Sequence, residues 1–329
     1  MKIAVYKDTF ANNRGADVAV KNLAAGLSER GHDVSLFDKS LFEAKIHGDY
    51  DVIISTGTNE IQDLAKVDGL PPVVQQFHTD PAYPFRHWIK RWRRNRAIKK
   101  ALRRAAAFQV LSRSHVGSLQ RLLGGVPDGR ISVIGNWSAF EDRAPPGAYR
   151  AGKVVICPGA INKDKNQALL VDAFAEIAPE FPDWEIHIYG KGKAKDESAL
   201  ARRIRSHNLE RRVLLKGYAD LTEAYSECSF VAFPSKTEGF GMVILDAALF
   251  AKPTLMVHDW IGTASVTGGI LTTPKVSAFA DGLRRLLGDE AFCRRLGEEA
   301  RVYCQNRFSR DGVLDEWERL LSQVAKAGV

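Results

Sequence analysis

The residues with the clearest chemical potential lie in 234–250, PSKTEGFGMVILDAALF, where Glu238 and Asp246 stand eight positions apart. An apolar strand ends at Pro-Ser, a turn built on Gly239, Phe240 and Gly241 follows, and a helix begins just beyond. The glycines let the backbone approach a ligand closely, and the free N–H groups of the helix start can face an anion or a sugar hydroxyl. Eight residues is about two helical turns, so both carboxylates can address one ligand from different heights. The competing reading is a helix cap and a solvated helical acid; the PS before the pair and the GFG inside it favour the ligand.

Two further patches follow strands. Residues 157–166, CPGAINKDKN, place a glycine turn and the basic side chains of Lys163 and Lys165 just before a helix, a combination able to hold a diphosphate. In FHTDP, His78 comes directly after the strand PVVQQF, and Asp80 is placed to orient it, to face an acceptor, or to form the turn before Pro81. No Ser-His-Asp or cysteine-nucleophile pattern is visible, and no metal-binding cluster of acids is expected. The four cysteines stand singly and are expected to be buried small hydrophobes.

The elements that must position these groups alternate, short apolar runs with helical stretches, which predicts parallel sheets with crossover helices. At 329 residues and 45% hydrophobic, the chain is too long for one small core and too apolar for disorder, so two domains are expected. IAVY, DVSLF, DVIIS, PVVQQF, AFQVLS and ISVIG are the strands of the first half; KVVICPG, WEIHIYG, RVLLKG, FVAFPS and PTLMV are those of the second. The fold class is therefore α/β, with two Rossmann-like doubly wound domains and the ligand expected in a cleft between them. The linker is placed in 141–152, EDRAPPGAYRAG, giving domains at 1–145 and 153–305. A C-terminal helix at 306–329, with apolar positions Val313, Leu314, Trp317, Leu320 and Leu321, is expected to pack back toward the linker and the first domain.

With these motifs in order, the chain resembles the family-4 retaining glycosyltransferases of GT-B fold along nearly its whole length. The resemblance implies that Glu238 contacts hydroxyls of a donor sugar and that Asp246, in place of the family's glutamate, holds the nucleotide ribose with a shorter reach. It also implies that Lys165 binds the donor diphosphate; the arginine usual five positions before it is Ala160 here, and Lys163 is the candidate to replace some of that charge. The family's paired glycines before the first helix read Arg14-Gly15, so Gly15 keeps the close backbone approach while Arg14 is placed to touch acceptor or phosphate. His78 occupies the position where the family often has a histidine beside the donor sugar. The implied reaction is transfer with retention from a nucleotide-diphosphate sugar, with no cofactor and no metal. Departure of the diphosphate is stabilised by Lys165, main-chain N–H groups and a helix dipole, while His78 and Glu238 position the sugar.

The net charge of +8 comes from one segment: residues 86–104, RHWIKRWRRNRAIKKALRR, contain ten basic residues and no acid. Trp88, Lys90, Arg91, Trp92, Arg94 and Lys99 on this expected helix suit an anionic membrane surface, with Ile98 and Leu102 adding apolar contact. Charge should dominate and the attachment should be salt-sensitive. The acceptor is accordingly expected to be a lipid-linked or cell-envelope glycan, as in lipopolysaccharide or polysaccharide biosynthesis. No spanning segment or signal peptide is visible, so a cytoplasmic protein on the inner membrane face is expected. A small soluble acceptor, or an inactive relative binding RNA or glycan, are the alternatives; nucleic acid is the less favoured partner.

Overall fold

The structure, a computed structural model, describes residues 1–10, 15–82, 92–144, 149–258 and 268–327. Arg14, Trp88, Lys90 and Arg91 lie outside the described residues, as do the side chains of Trp92 and Arg94. The chain divides into two compact units, Met1–Asn136 with Arg310–Val329, and Trp137–Ser309.

The first unit runs β1 (Lys2–Tyr6), α1 (Gly15–Glu29), β2 (Asp33–Phe37), α2 (Phe42–Lys45), β3 (Val52–Ser55), α3 (Glu60–Leu64), β4 (Val73–Gln76), α4 (Trp92–Leu102), β5 (Ala107–Val110), α5 (Arg113–Leu123) and β6 (Ile131–Val133). Its six parallel strands are ordered β2-β1-β3-β4-β5-β6. Ile3, Ala4, Val5 and Tyr6 are fully buried, as a central parallel strand covered on both faces requires. Helix α4 corrects one expectation. Ile98 and Leu102 pack with Phe77, Phe108 and Val110 in the core, so these two positions are not available to lipid. Periodicity identifies an apolar face; here the protein's own core covers it.

The second unit runs β7 (Val154–Pro158), α6 (Gln167–Ile177), β8 (Glu185–Tyr189), α7 (Ala194–Ser206), β9 (Val213–Gly217), α8 (Thr222–Glu227), β10 (Phe230–Phe233), α9 (Met242–Leu249), β11 (Thr254–Met256), β12 (Gly269–Leu271), α10 (Val276–Gly288) and α11 (Glu290–Phe308). The strand order is β12-β11-β10-β7-β8-β9, again all parallel. Strand β12 is an addition to the five expected here: three residues at a sheet edge carry too little pattern to stand out. Phe174, Ile186, Ile188, Phe230, Phe279 and Leu283 centre the core, and all four cysteines are buried.

The boundary falls before Trp137, ahead of the 141–152 stretch expected as linker. The physical reason is that the preceding residues already bond into the second unit. Ser138 donates to Asp246, and the Phe140 ring packs edge-on against Tyr225 and Phe250. The final helix, α12 (Arg310–Ala327), groups with the first unit. Its Val313, Leu314, Trp317 and Leu321 are buried, and the Arg30 guanidinium donates to Asp311, Asp315 and Glu318 along it.

Candidate functional site

In the second unit β7 is bordered by β8 on one side and β10 on the other. The chain crosses from the β7-β8-β9 half to the β10-β11-β12 half there, which opens a crevice outside the carboxyl ends of β7 and β10. The two loops that follow these strands are tied together: the Lys236 N–H donates to the Asp164 carbonyl at 2.7 Å. Asn162 Oδ1 accepts the N–H groups of Asp164 and Lys165 at 3.0 and 2.9 Å, which sets the turn into α6. Gly241 caps α9 in the left-handed region at φ 84°, where a side chain would be strained. In α6 and α9 the Leu169 and Ile244 N–H groups bond back to the Asn166 and Gly241 carbonyls at 3.0 and 2.8 Å, which leaves the N–H groups just before them as the donors each helix start can offer a ligand.

Within this frame Lys165 and Glu238 meet. Lys165 Nζ pairs with Glu238 Oε1, the side chains being 23% and 15% exposed. The same oxygen accepts the Ser235 hydroxyl at 2.6 Å, and Lys165 Nζ stands 5.5 Å above the Phe233 ring. The Phe240 ring is buried edge-on against Phe308 at 5.2 Å, so its side chain serves the core and its backbone alone remains for a ligand. Gly239 is half-buried, and Lys163 is exposed.

Asp246 sits apart from that pair, on α9, where Ser138 Oγ donates to its Oδ1 at 2.5 Å. Burial pushes its carboxyl up to about 7, with the Ser138 hydrogen bond pulling the other way. The neighbouring Tyr225 hydroxyl is buried without a hydrogen-bond partner among the described residues, and its pKa is driven upward by burial first and by Asp246 second.

The remaining candidates belong to the first unit. Gly15 opens α1, and among the described residues no atom beyond its chain neighbours and its own helix backbone lies within 4 Å of the position a Cβ would take there. His78 follows β4; burial, and then the Lys7 ammonium, lower it to about 4 against an opposing effect of Asp17, so the ring is neutral at physiological pH. Its Nε2 is buried and has no partner among the described residues. Lys7 and Asp17 form an ion pair at 3.2 Å. Asp80 accepts the Ala82 N–H at 2.7 Å and the Ser118 hydroxyl at 3.0 Å, which makes it a turn former anchored to α5. Lys99 is half-buried on α4.

Several supporting residues carry no obvious sequence signal. Ser235 and Ser138 are ordinary serines until their partners are known. Gly190 and Gly192 are legible as a G-x-G after a strand: Cβ atoms there would lie 2.1 Å from the Gly159 carbonyl oxygen and 2.3 Å from that of Ile161. These glycines let the loop after β8 support the loop after β7. Among the described residues no group of three or more His, Cys, Asp or Glu is placed to share a metal ion.

Residues 152–289 match the family described as glycosyl transferases group 1. An exopolysaccharide phosphotransferase of Streptomyces coelicolor is 30% identical over 59% of this chain and 21% of its own length. A poly(ribitol-phosphate) alpha-N-acetylglucosaminyltransferase of Staphylococcus aureus is 24% identical over 58% of this chain and 39% of its own. A Campylobacter jejuni enzyme that adds alpha-N-acetylgalactosamine to a diphospho-undecaprenol-linked glycan is 28% identical over 49% of this chain and 46% of its own. The chain thus spans less than half the length of these curated relatives. Among solved structures, Anabaena HepE with bound UDP superposes at a TM-score of 0.80 over 98% of this chain and 100% of HepE, at 19% identity. The lipopolysaccharide glycosyltransferase WaaG superposes at 0.71 over 97% and 99%, at 14% identity. The chain has the GT-B fold.

Proposed function

We propose that the protein is a retaining glycosyltransferase that moves a sugar from a nucleotide-diphosphate donor to a lipid-linked or cell-envelope glycan, without a metal. The observation that carries this reading is the meeting of Lys165 and Glu238 at the switch point of the second sheet, beside the open N-termini of α6 and α9. An ammonium and two sets of main-chain donors suit a pyrophosphate, and a carboxylate beside them suits sugar hydroxyls. The Streptomyces relative is named for phosphoryl transfer, but the other two move α-linked sugars.

In the proposed reaction the bond from the sugar's anomeric carbon to the diphosphate oxygen breaks while Lys165 and the helix-terminal amides stabilise the charge that develops on the leaving group. The acceptor hydroxyl attacks the same face, and its proton passes to a phosphate oxygen of the departing donor. Glu238 orients the sugar and Asp246 holds the ribose. His78, neutral at physiological pH, serves as a hydrogen-bonding group to substrate rather than as a cation. An α-linked donor giving an α-linked product requires this retention of configuration.

The acceptor class is supported by two of the relatives, named for transfer to poly(ribitol-phosphate) and to a diphospho-undecaprenol-linked glycan. The basic segment at 86–104 is proposed to hold the enzyme on the anionic inner face of the cytoplasmic membrane. Within it Arg96, Lys100, Arg103 and Arg104 are exposed. No described helix is long and apolar enough to cross a membrane.

The test is a thermal-shift screen of UDP, GDP and ADP and their sugars, followed by transfer assays. A ligand that binds only the native state raises the melting temperature. One nucleotide series should do so, and Glu238→Ala should abolish transfer while the protein stays folded; normal turnover in that variant would overturn the assignment.

A further inference from the structure

Lys165 and Glu238, proposed above to hold opposite ends of one donor, form an ion pair with each other. The contact is lopsided. Lys165 Nζ and Ser235 Oγ both address Oε1 of Glu238, and Oε2 takes no hydrogen bond among the described residues. Ser235 is 1% exposed, and the other carbonyls within its reach, Asp164 and Thr237, stand at 3.4 Å against 2.6 Å for Glu238. Its single hydroxyl proton therefore goes to the carboxylate. Lys165 is held by its main chain, through Asn162, and by its stem, which passes Gly159, so its ammonium can turn from one anion to another without moving the loop.

We propose that Glu238 is an internal competitor of the diphosphate for Lys165, and that Ser235 is the positioning residue that keeps Glu238 in place once the diphosphate draws Lys165 away. This rests on reading the crevice as a nucleotide-diphosphate-sugar site. A bare nucleoside diphosphate must break the Lys165–Glu238 pair and then lie near an anion that has lost its cation. A sugar-bearing donor meets the same cost but offers hydroxyl protons to Oε2, with Ser235 holding the opposite oxygen. The site therefore favours substrate over the spent nucleotide. After transfer, Glu238 recovers Lys165 and helps to expel the product.

The test is calorimetric titration of wild type, Glu238→Gln, Lys165→Met and Ser235→Ala with UDP, GDP and ADP, and with UDP-glucose, GDP-mannose and ADP-glucose. Melting temperatures of the unliganded variants check that each is folded. Glu238→Gln removes the competing charge but keeps the shape, so it should bind the bare nucleoside diphosphate about tenfold more tightly than wild type, about 1.4 kcal/mol, while losing transfer. Lys165→Met should bind it more weakly. Ser235→Ala should lower the ratio of donor affinity to nucleoside diphosphate affinity by about threefold to tenfold, on the scale of one hydrogen bond to a charged group. That ratio is measured within one variant, so a general loss of structure does not move it selectively.

Equal or weaker binding of the bare nucleoside diphosphate by Glu238→Gln overturns the competition. A wild-type ratio in Ser235→Ala overturns the positioning role. Binding of none of these nucleotides by either wild type or Glu238→Gln overturns the donor-site reading itself, a result distinct from the first two.

Discussion

Asp246 offers the most exacting physical test of the second unit. Its carboxyl is displaced from the ordinary 3.8 to about 7, chiefly by burial. At about 1.4 kcal/mol per pH unit, this sets a ceiling of about 4 kcal/mol on the cost of carrying the charge at neutral pH. The residue is half-buried rather than sealed, so on the order of 2 kcal/mol is the expected cost after partial solvation. The sign follows from proton linkage. The folded-state pKa lies above the unfolded one, so the folded chain holds the extra proton between about pH 4 and pH 7. The stability this confers is complete below about pH 4 and is lost as pH rises through about 7.

Asp246→Asn mimics the protonated acid, and its amide oxygen can still accept from Ser138. At pH 8 the variant should melt above wild type by about 4–8 °C, taking about 2–4 °C per kcal/mol for a unit of this size. Below about pH 4, where the carboxyl is protonated in both the folded and the unfolded chain, the two should nearly coincide. Calorimetric scans of the unliganded proteins across this range read the difference directly. A melting difference that is the same at about pH 3.5 and pH 8, or an asparagine variant less stable at pH 8, refutes the reasoning. The nucleotide should report the same titration. If the carboxylate holds the ribose, wild-type affinity for the nucleoside diphosphate falls more steeply than that of Asp246→Asn as pH drops through about 7, the variant keeping only the dependence that the ligand's own phosphate brings.

Gly190→Ala forces a side chain onto a backbone at φ 137° and drives its Cβ to 2.1 Å from the Gly159 carbonyl oxygen, so it should cost more than about 3 kcal/mol by urea unfolding and abolish the nucleotide thermal shift. Lys252 is fully buried and donates to the carbonyls of Arg150, Ser226 and Cys228 at 2.8, 3.1 and 2.6 Å. Lys252→Met leaves those acceptors without their donor and should destabilise by about 3 kcal/mol, and a neutral result in the same urea assay refutes that role. The protein should co-sediment with anionic vesicles at low salt and release at about 0.5 M, with neutral vesicles inactive at both; binding that ignores lipid charge excludes the basic segment as its cause.

What was legible from residues alone was local. Alternating apolar runs gave the six strands of the first sheet and five of the second, because a strand covered on both faces reads as a short continuous apolar segment. Glu238 and Lys165 stood out because each lies beside a glycine turn at a strand-to-helix junction. Three residues of β12 did not stand out, and residues 137–140 gave no sign of belonging to the second unit. Ser138 and Phe140 find partners more than eighty positions away, in Asp246, Tyr225 and Phe250.

The pairing of Lys165 with Glu238 was equally invisible, and for a definite reason. The two are 73 positions apart and meet because β10 lies beside β7 rather than beside β9, a choice made by the crossover of the whole sheet. Any sequence that keeps both junctions but changes that crossover would keep both motifs and lose the pair. The same limit applies to α4: the spacing of Ile98 and Leu102 states that one face is apolar, and the β4–β5 region decides that protein covers it. Motifs in this chain therefore nominate groups, and strand order decides which of them act on one another. Ser235 has chemical meaning because it stands between a strand end and the carboxylate that this order delivers to Lys165.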